Sequence, residues 1–241
     1  MAAITNLAEG IWSASSLWVL ATLVAYQTAI WIYSRSGCNS FANPVLIGTG
    51  LVIGILLFSG TPYQTYIERV EPLSFLLGPA IVSLAIPLHA QLSRIRGIAA
   101  PLTIALLIGS STAVISASGI AWALGASPET LLSIAPKSVT MPIAISVAEK
   151  VGGAPPLTAL CVVATGLTGA IIGQRLLRLL RIDDIAVYGF AVGITAHAIG
   201  TSRALQVSPV AGGFAALAMG LNGLLTAVLV PFVLEIVRYV H

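Results

Sequence analysis

Pro136-Lys137-Ser138-Val139-Thr140-Met141-Pro142 stands inside a stretch otherwise apolar enough to enter a bilayer, and its accommodation decides the fold. A cation at the centre of a membrane helix costs about 2.5 to 3.5 kcal/mol even on lenient insertion scales, so it faces a cavity, a partner or a solute. Each proline lacks an amide hydrogen, so a continuous helix would leave the carbonyls of Leu132 and Ser138 without partners. Broken backbone at membrane depth is tolerated only where protein buries it or where it lines a wet cavity. A second run has the same character: His197-Ala198-Ile199-Gly200-Thr201-Ser202-Arg203-Ala204.

The surrounding chain is lipid-soluble. Of 241 residues, 57% are hydrophobic and 8% charged, and the mean hydropathy is +1.00. Soluble domains carry about 25% charge. The length allows roughly seven or eight spanning or half-spanning segments of about 20 residues, and leaves no room for a separate soluble module. Hydropathy divides the chain into segments 11–34, 44–60, 72–93, 98–125, 131–150, 156–180, 185–206 and 209–239. Asn43-Pro44 reads as an N-cap before the second segment. Pro79 and Pro87 predict kinks in the third. Gly169 with Gly173, and Gly189 with Gly193, form small-xxx-small faces for helix packing.

The cations orient the segments. Arg35, Arg94 with Arg96, and the group Arg175, Arg178 and Arg181 mark cytoplasmic ends by the positive-inside rule. The N-terminus is then outside, as are the loop 61–71 and the turn at Glu129. Helix 98–125 ends outside and the segment from Pro156 must end inside, so 131–150 begins and ends on the outer face. A re-entrant hairpin of this length has two arms of about 15 Å, half the hydrocarbon thickness, which puts its Lys-Ser-Val-Thr tip near the midplane. From the inner face, the same reasoning makes 185–206 a second broken segment, interrupted around Gly193, His197 and Gly200.

The expected fold is an all-α polytopic membrane protein. It has about six spanning helices and two broken or re-entrant segments arranged as an inverted repeat. Residues 1–96 would be scaffold helices, 98–206 the repeat core and 209–241 a C-terminal helix. Full crossing of both broken segments is the competing topology; it strands three arginines outside. Arg238 would prefer the inside, whereas re-entry of 185–206 places it outside.

Paired interrupted segments at the midplane are where secondary transporters bind their solutes. Half-helix N-termini attract anions. Lys137 and Arg203 would add two charges, Arg203 in bidentate fashion, and Ser138, Thr140, Gly200, Thr201 and Ser202 surround them with hydroxyl and backbone donors. Pro136, Pro142 and Gly193 are the helix breakers. Blander readings stand beside these: hydroxyls bond their own backbone, long cations snorkel to the interface, and His197 packs.

Glu149, Asp183, Asp184 and Glu235 all lie near segment ends, so a midplane carboxylate relay is not visible. His197 is therefore the first suspect for any proton coupling, and sodium could use unwound carbonyls. Cys38 and Cys161 have no metal spacing and lie at different depths, so neither a disulfide nor a metal site is expected. The segment from Ile11 is too long for a signal-peptide core and Glu9 spoils a basic n-region. With no nucleotide loop, zinc motif or nucleophile elbow, an enzyme is not expected. No basic tract would track a nucleic acid.

Leu77 to Leu88, Ser127-Pro128-Glu129, Pro136 to Ala144, Gly152-Gly153, Thr165-Gly166 with Gly169-Ala170 and Gly173, Ala196 to Ala204, Gly213-Phe214 and Leu217 to Gly220 resemble the LrgB/CidB family. The resemblance runs from about Asn43 onward. Met141 stands where that family usually has Thr, and Ser202 where it usually has Ala. The resemblance implies one of two functions. One is antiholin-like or holin-like modulation of murein hydrolase activity and autolysis, beside a small LrgA/CidA-type membrane partner. The other is carriage of small monocarboxylates, pyruvate in bacterial relatives and glycolate with glycerate in a plastid one. Carriage across a bacterial cytoplasmic membrane, by a homo-oligomer with no cofactor beyond a coupling ion, is the leading expectation.

Overall fold

The computed structural model describes residues 14–37 and 42–240, with side chains for 16–37 and 42–232. Glu9 and Cys38, and the side chains of Glu235 and Arg238, lie outside the described residues. Twelve α-helices and no strands occur among them. Six helical stretches are long and apolar enough to cross a membrane: Ser16–Arg35, Glu71–Ala90, Ala99–Ala123, Pro155–Leu179, Ile185–Val207 and Pro209–Phe232. Phe58, Ile86 and Trp122 present most of their surface outward, as suits a protein whose solvent is lipid. The chain is an all-α, multi-pass membrane protein.

Two compact units divide after Ser83. In the first, α1 (Ala14–Arg35) packs on α2 (Pro44–Ser59), with Gly48 admitting Tyr26 and Ala29. Asn43 caps α2 as expected: its Oδ1 accepts from the Val45 amide at 2.8 Å. The outer loop expected over 61–71 instead holds a short helix, α3 (Tyr63–Arg69), bent 117° from α2. Gly60, at φ 64°, makes the turn. Tyr66 fixes α3 from within, edge-on to Trp18 and with its hydroxyl 3.0 Å from Thr22.

Helix α4 (Glu71–Ser83) leads out of this unit and α5 (Ala85–Ala90) begins the second. The interruption at Leu84 follows from Pro87, whose missing amide leaves the Ser83 carbonyl unpaired. After α6 (Leu92–Gly97), α7 (Ala99–Ala123) runs about 37 Å at 1.5 Å per residue, enough for one crossing. The chain then enters α8 (Pro128–Ile134), turns through 135–140 and returns as α9 (Met141–Val151). Helix α10 (Pro155–Leu179) crosses back, α11 (Ile185–Val207) follows, and α12 (Pro209–Val240) closes the unit.

Although α11 is long enough to span, it does not run straight. His197 has φ 41° and ψ −132°, and the helix breaks there. A Cβ on Gly200 would lie 2.8 Å from the Val192 carbonyl oxygen. In a straight helix those two positions are about 12 Å apart. Val207 likewise lines one small cavity with Ile185 and Tyr188, and Ala204 packs with Tyr188 and Val192. The second arm has folded back along the first.

The Arg94–Asp184 ion pair, 3.0 Å, ties α6, just before α7, to the turn before α11, so both arginine-rich connections lie at one end of the unit. The α8–α9 hairpin consequently enters from the opposite end and the α11 hairpin from the arginine end. Gly193, expected as a breaker, keeps helical backbone; it gives close passage to Ala215 of α12. Pro142 stands in the first turn of α9, just past the break at 135–140.

Candidate functional site

The first hairpin is built by its own sequence. Ser127 caps α8, accepting from the Thr130 amide, with Pro128 in the first turn where no amide is needed. Turn-like bonds then carry the arm down to its tip, from Lys137 N to Ile134 O and from Val139 N to Pro136 O. Thr140 is extended (φ −60°, ψ 144°) and α9 starts beyond it. A clasp closes the base: Ser133 Oγ accepts from the Ala154 amide at 2.7 Å, and Thr158 Oγ1 donates to the Ser133 carbonyl at 2.9 Å. Gly153 is needed here, since a Cβ would stand 2.9 Å from the Ser133 nitrogen.

The second tip is held in a conformation costly for a histidine, about 1 to 3 kcal/mol for a non-glycine residue in sparsely populated backbone space. Its surroundings fix it. Nε2 of His197 lies 3.0 Å from the Val162 carbonyl on α10, which only accepts, so that nitrogen carries the proton. Thr201 Oγ1 donates to the His197 carbonyl at 2.8 Å. The face of α10 is cut away to receive the tip, for a Cβ on Gly166 would meet His197 Cε1 and Ile199 Cδ1, each at 2.8 Å.

The two tips converge. Val139 of the first packs with Val162, the residue whose carbonyl holds His197 of the second. On the other side, Asn222 of α12 donates from Nδ2 to the Ser138 carbonyl (3.1 Å) and to the Ile194 carbonyl (2.9 Å), while Ser110 of α7 donates to its Oδ1. Asn222 lies 13 residues into α12 from the arginine end, about 20 Å, and Val162 seven residues into α10 from the other, about 10 Å. Within a hydrocarbon layer of about 30 Å, the junction is deep in the membrane.

Half-buried Lys137 donates to Ser138 Oγ at 3.4 Å and lies within electrostatic reach of Cys161, the neighbour of Val162. Ser138, His197, Gly200 and Thr201 are buried; Thr140, Ser202 and Arg203 are half-buried. Arg203 lies six residues beyond the break, on the returning arm, and donates to Gln206 of that arm at 3.3 Å. The geometry thus joins Ser138, His197 and Thr201 through shared neighbours and sets Arg203 more than a turn back from the break. No cluster of potential metal ligands occurs among the described residues.

Sequence reasoning missed Asn222, Ser110, Ser133 and Thr158. Asn222 carried a signal, being the one side-chain amide in 209–232. The other three are hydroxyls among many.

A sequence model of the LrgB-like family matches residues 22–236. The chain belongs to the LrgB-like family. This LrgB-like chain is 33% identical over 223 residues to an uncharacterised protein of Haemophilus influenzae, covering 92% of this chain and 96% of that one. YwbG of Bacillus subtilis, also uncharacterised, is 34% identical over 89% of this chain and 95% of its own length. CidB of Staphylococcus aureus, named a holin-like protein, is 30% identical over 89% of this chain and 93% of its own. No solved structure matches the LrgB-like chain at a significant level.

Proposed function

We propose that this LrgB-like protein carries small 2-oxo or 2-hydroxy monocarboxylates, such as pyruvate or glycolate, across a bacterial cytoplasmic membrane. One observation supports the reading: two hairpins entering from opposite ends bring their breaks together deep in the membrane, next to a half-buried lysine. Such breaks expose polar backbone where a simple pore-former has no use for it. The helix-plus-hairpin units, α7 to α9 and α10 to α11, form an inverted repeat on this reading, with the helices up to residue 96 as scaffold. Lys137 and Arg203 supply charge to the carboxylate, and Thr140 and Ser202 supply hydroxyls. Ser138, His197, Gly200 and Thr201 shape the site. His197 remains our candidate for a coupling proton, through the ring nitrogen that the Val162 carbonyl does not hold.

The named relatives favour a second reading. CidB is called holin-like, and on that model the chain modulates murein hydrolase release and autolysis, as an oligomer and beside a small LrgA/CidA-like membrane protein. Purified protein in liposomes separates the two. Carriage predicts saturable uptake of labelled pyruvate or glycolate, competed by unlabelled anion and lost in Lys137→Ala and Arg203→Ala. Oligomer-dependent leakage of a neutral dye, with no saturation by any anion, would establish the holin-like reading and overturn carriage.

A further inference from the structure

We propose that Asn222 is the positioning residue that couples the two hairpin tips, so that the breaks hold one register and neither shifts without the other. This rests on the carrier reading only for its consequence, not for the tie itself.

The chemistry at Asn222 admits one orientation. Two backbone carbonyls, Ser138 and Ile194, approach the same side-chain nitrogen. Carbonyl oxygens only accept, so the –NH2 must face them and both of its hydrogens are used. Oδ1 then points to Ser110 Oγ, which can donate. Rotating the amide by half a turn would set an oxygen against two oxygens.

Few side chains can replace it. A carboxylate of the same shape offers no donor when ionised and one when protonated, a serine offers one, and glutamine is a methylene too long for a fully enclosed position. Asn222 is 1% exposed and Ser110 2%.

The two carbonyls belong to parts that should otherwise move separately. Ser138 is in the tip of the hairpin entering from one end. Ile194 is three residues before the break of the hairpin entering from the other. Sequence separation from Asn222 is 84 and 28 residues, respectively. Shifting either tip alone strips one hydrogen from its acceptor in a region where water does not replace it. The amide therefore favours joint displacement of the tips over independent displacement.

The test uses the full chain in lipid, with both cysteines changed to serine and spin labels at Met141 and Ala198, exposed positions beside the two breaks. Electron–electron distance measurement should give one narrow distribution in the parent. Asn222→Asp, which keeps the shape, should broaden it or add a second distance, and Asn222→Ser serves where the acid does not fold. Ser110→Ala should leave it narrow, because both tip bonds survive.

A folded Asn222 variant with an unchanged narrow distribution, even with a lowered melting temperature, reduces Asn222 to a packing residue and overturns the proposal. A broad distribution in the parent does the same. In liposomes Asn222→Asp should slow anion exchange by about tenfold, the loss typical of one hydrogen bond to a buried group. Unaltered exchange with a broadened distance overturns the role in carriage. If the parent carries no anion, the carrier reading fails while the distances still decide the tie.

Discussion

Gly166→Ala puts two known effects in opposition. In a helix interior alanine is favoured over glycine by about 1 kcal/mol, so an exposed site would gain stability. At Gly166 the new Cβ would stand 2.8 Å from His197 Cε1, 2.8 Å from Ile199 Cδ1 and 2.9 Å from His197 Nε2. Ordinary contact begins at 3.4 Å, so three atoms must retreat by 0.5 to 0.6 Å together (3.4 − 2.9 and 3.4 − 2.8). Overpacking of this kind costs about 1 to 3 kcal/mol. The imidazole cannot retreat without lengthening its bond to the Val162 carbonyl, which adds about 1 kcal/mol. The net expectation is a loss of about 1 to 3 kcal/mol. Gly119→Ala in α7, where nothing lies within 4 Å, is the control and should be neutral or stabilising. Thermal unfolding of both variants in one detergent measures the difference. A Gly166→Ala protein as stable as Gly119→Ala would refute the docking of the second tip on α10.

Two further substitutions test the hairpin bases. Ser133→Ala should cost about 1 kcal/mol, the net worth of a typical hydrogen bond, because the half-buried Ala154 N loses its acceptor; protection of the Ala154 amide from hydrogen exchange should fall with it. Asp184 serves both as N-cap of α11, accepting from Ala186 N at 2.7 Å, and as partner of Arg94. Because that ion pair is about half exposed, Asp184→Asn should lose less than about 1 kcal/mol. Asp184→Ala should lose about 1 kcal/mol more by removing the cap. Equal melting temperatures for the two would show that the cap contributes nothing.

The fold was legible where physics forces the chain. Pro136 and Pro142 cannot both sit in one helix, and the arginines alternate so that two segments must return to the side they entered from. The second break was legible only as a region. Glycines were the obvious place to look, yet Gly193 and Gly200 supply close packing and His197 takes the strained backbone. Periodicity cannot reveal that, because a non-glycine residue at positive φ is paid for by specific hydrogen bonds, here to the distant Val162 and, four residues on, to Thr201. The helix over 63–69 was hidden for another reason. Glu68 and Arg69 made the stretch look like solvated loop, whereas Tyr66 anchors it on Trp18.

Breaking a helix within lipid creates polar backbone that something must satisfy, and this divides the candidate residues by task. His197 is committed to the Val162 carbonyl, Thr201 to the His197 carbonyl, and Asn222 to Ser138 and Ile194. Polar runs in membrane segments therefore do not all announce a ligand. Part of each run repairs the break that the other part requires. The hydroxyls of Thr140 and Ser202 take part in no hydrogen bond among the described residues, and Lys137 uses one donor of three on its neighbour. On the proposed carrier reading, an anion would be met by the half-buried groups, while the buried ones keep the tips in place. Conservative changes should separate these classes: Thr140→Val should leave stability intact and weaken anion binding, whereas Thr201→Val should lower stability first, since it strips the partner from a carbonyl at the strained residue itself.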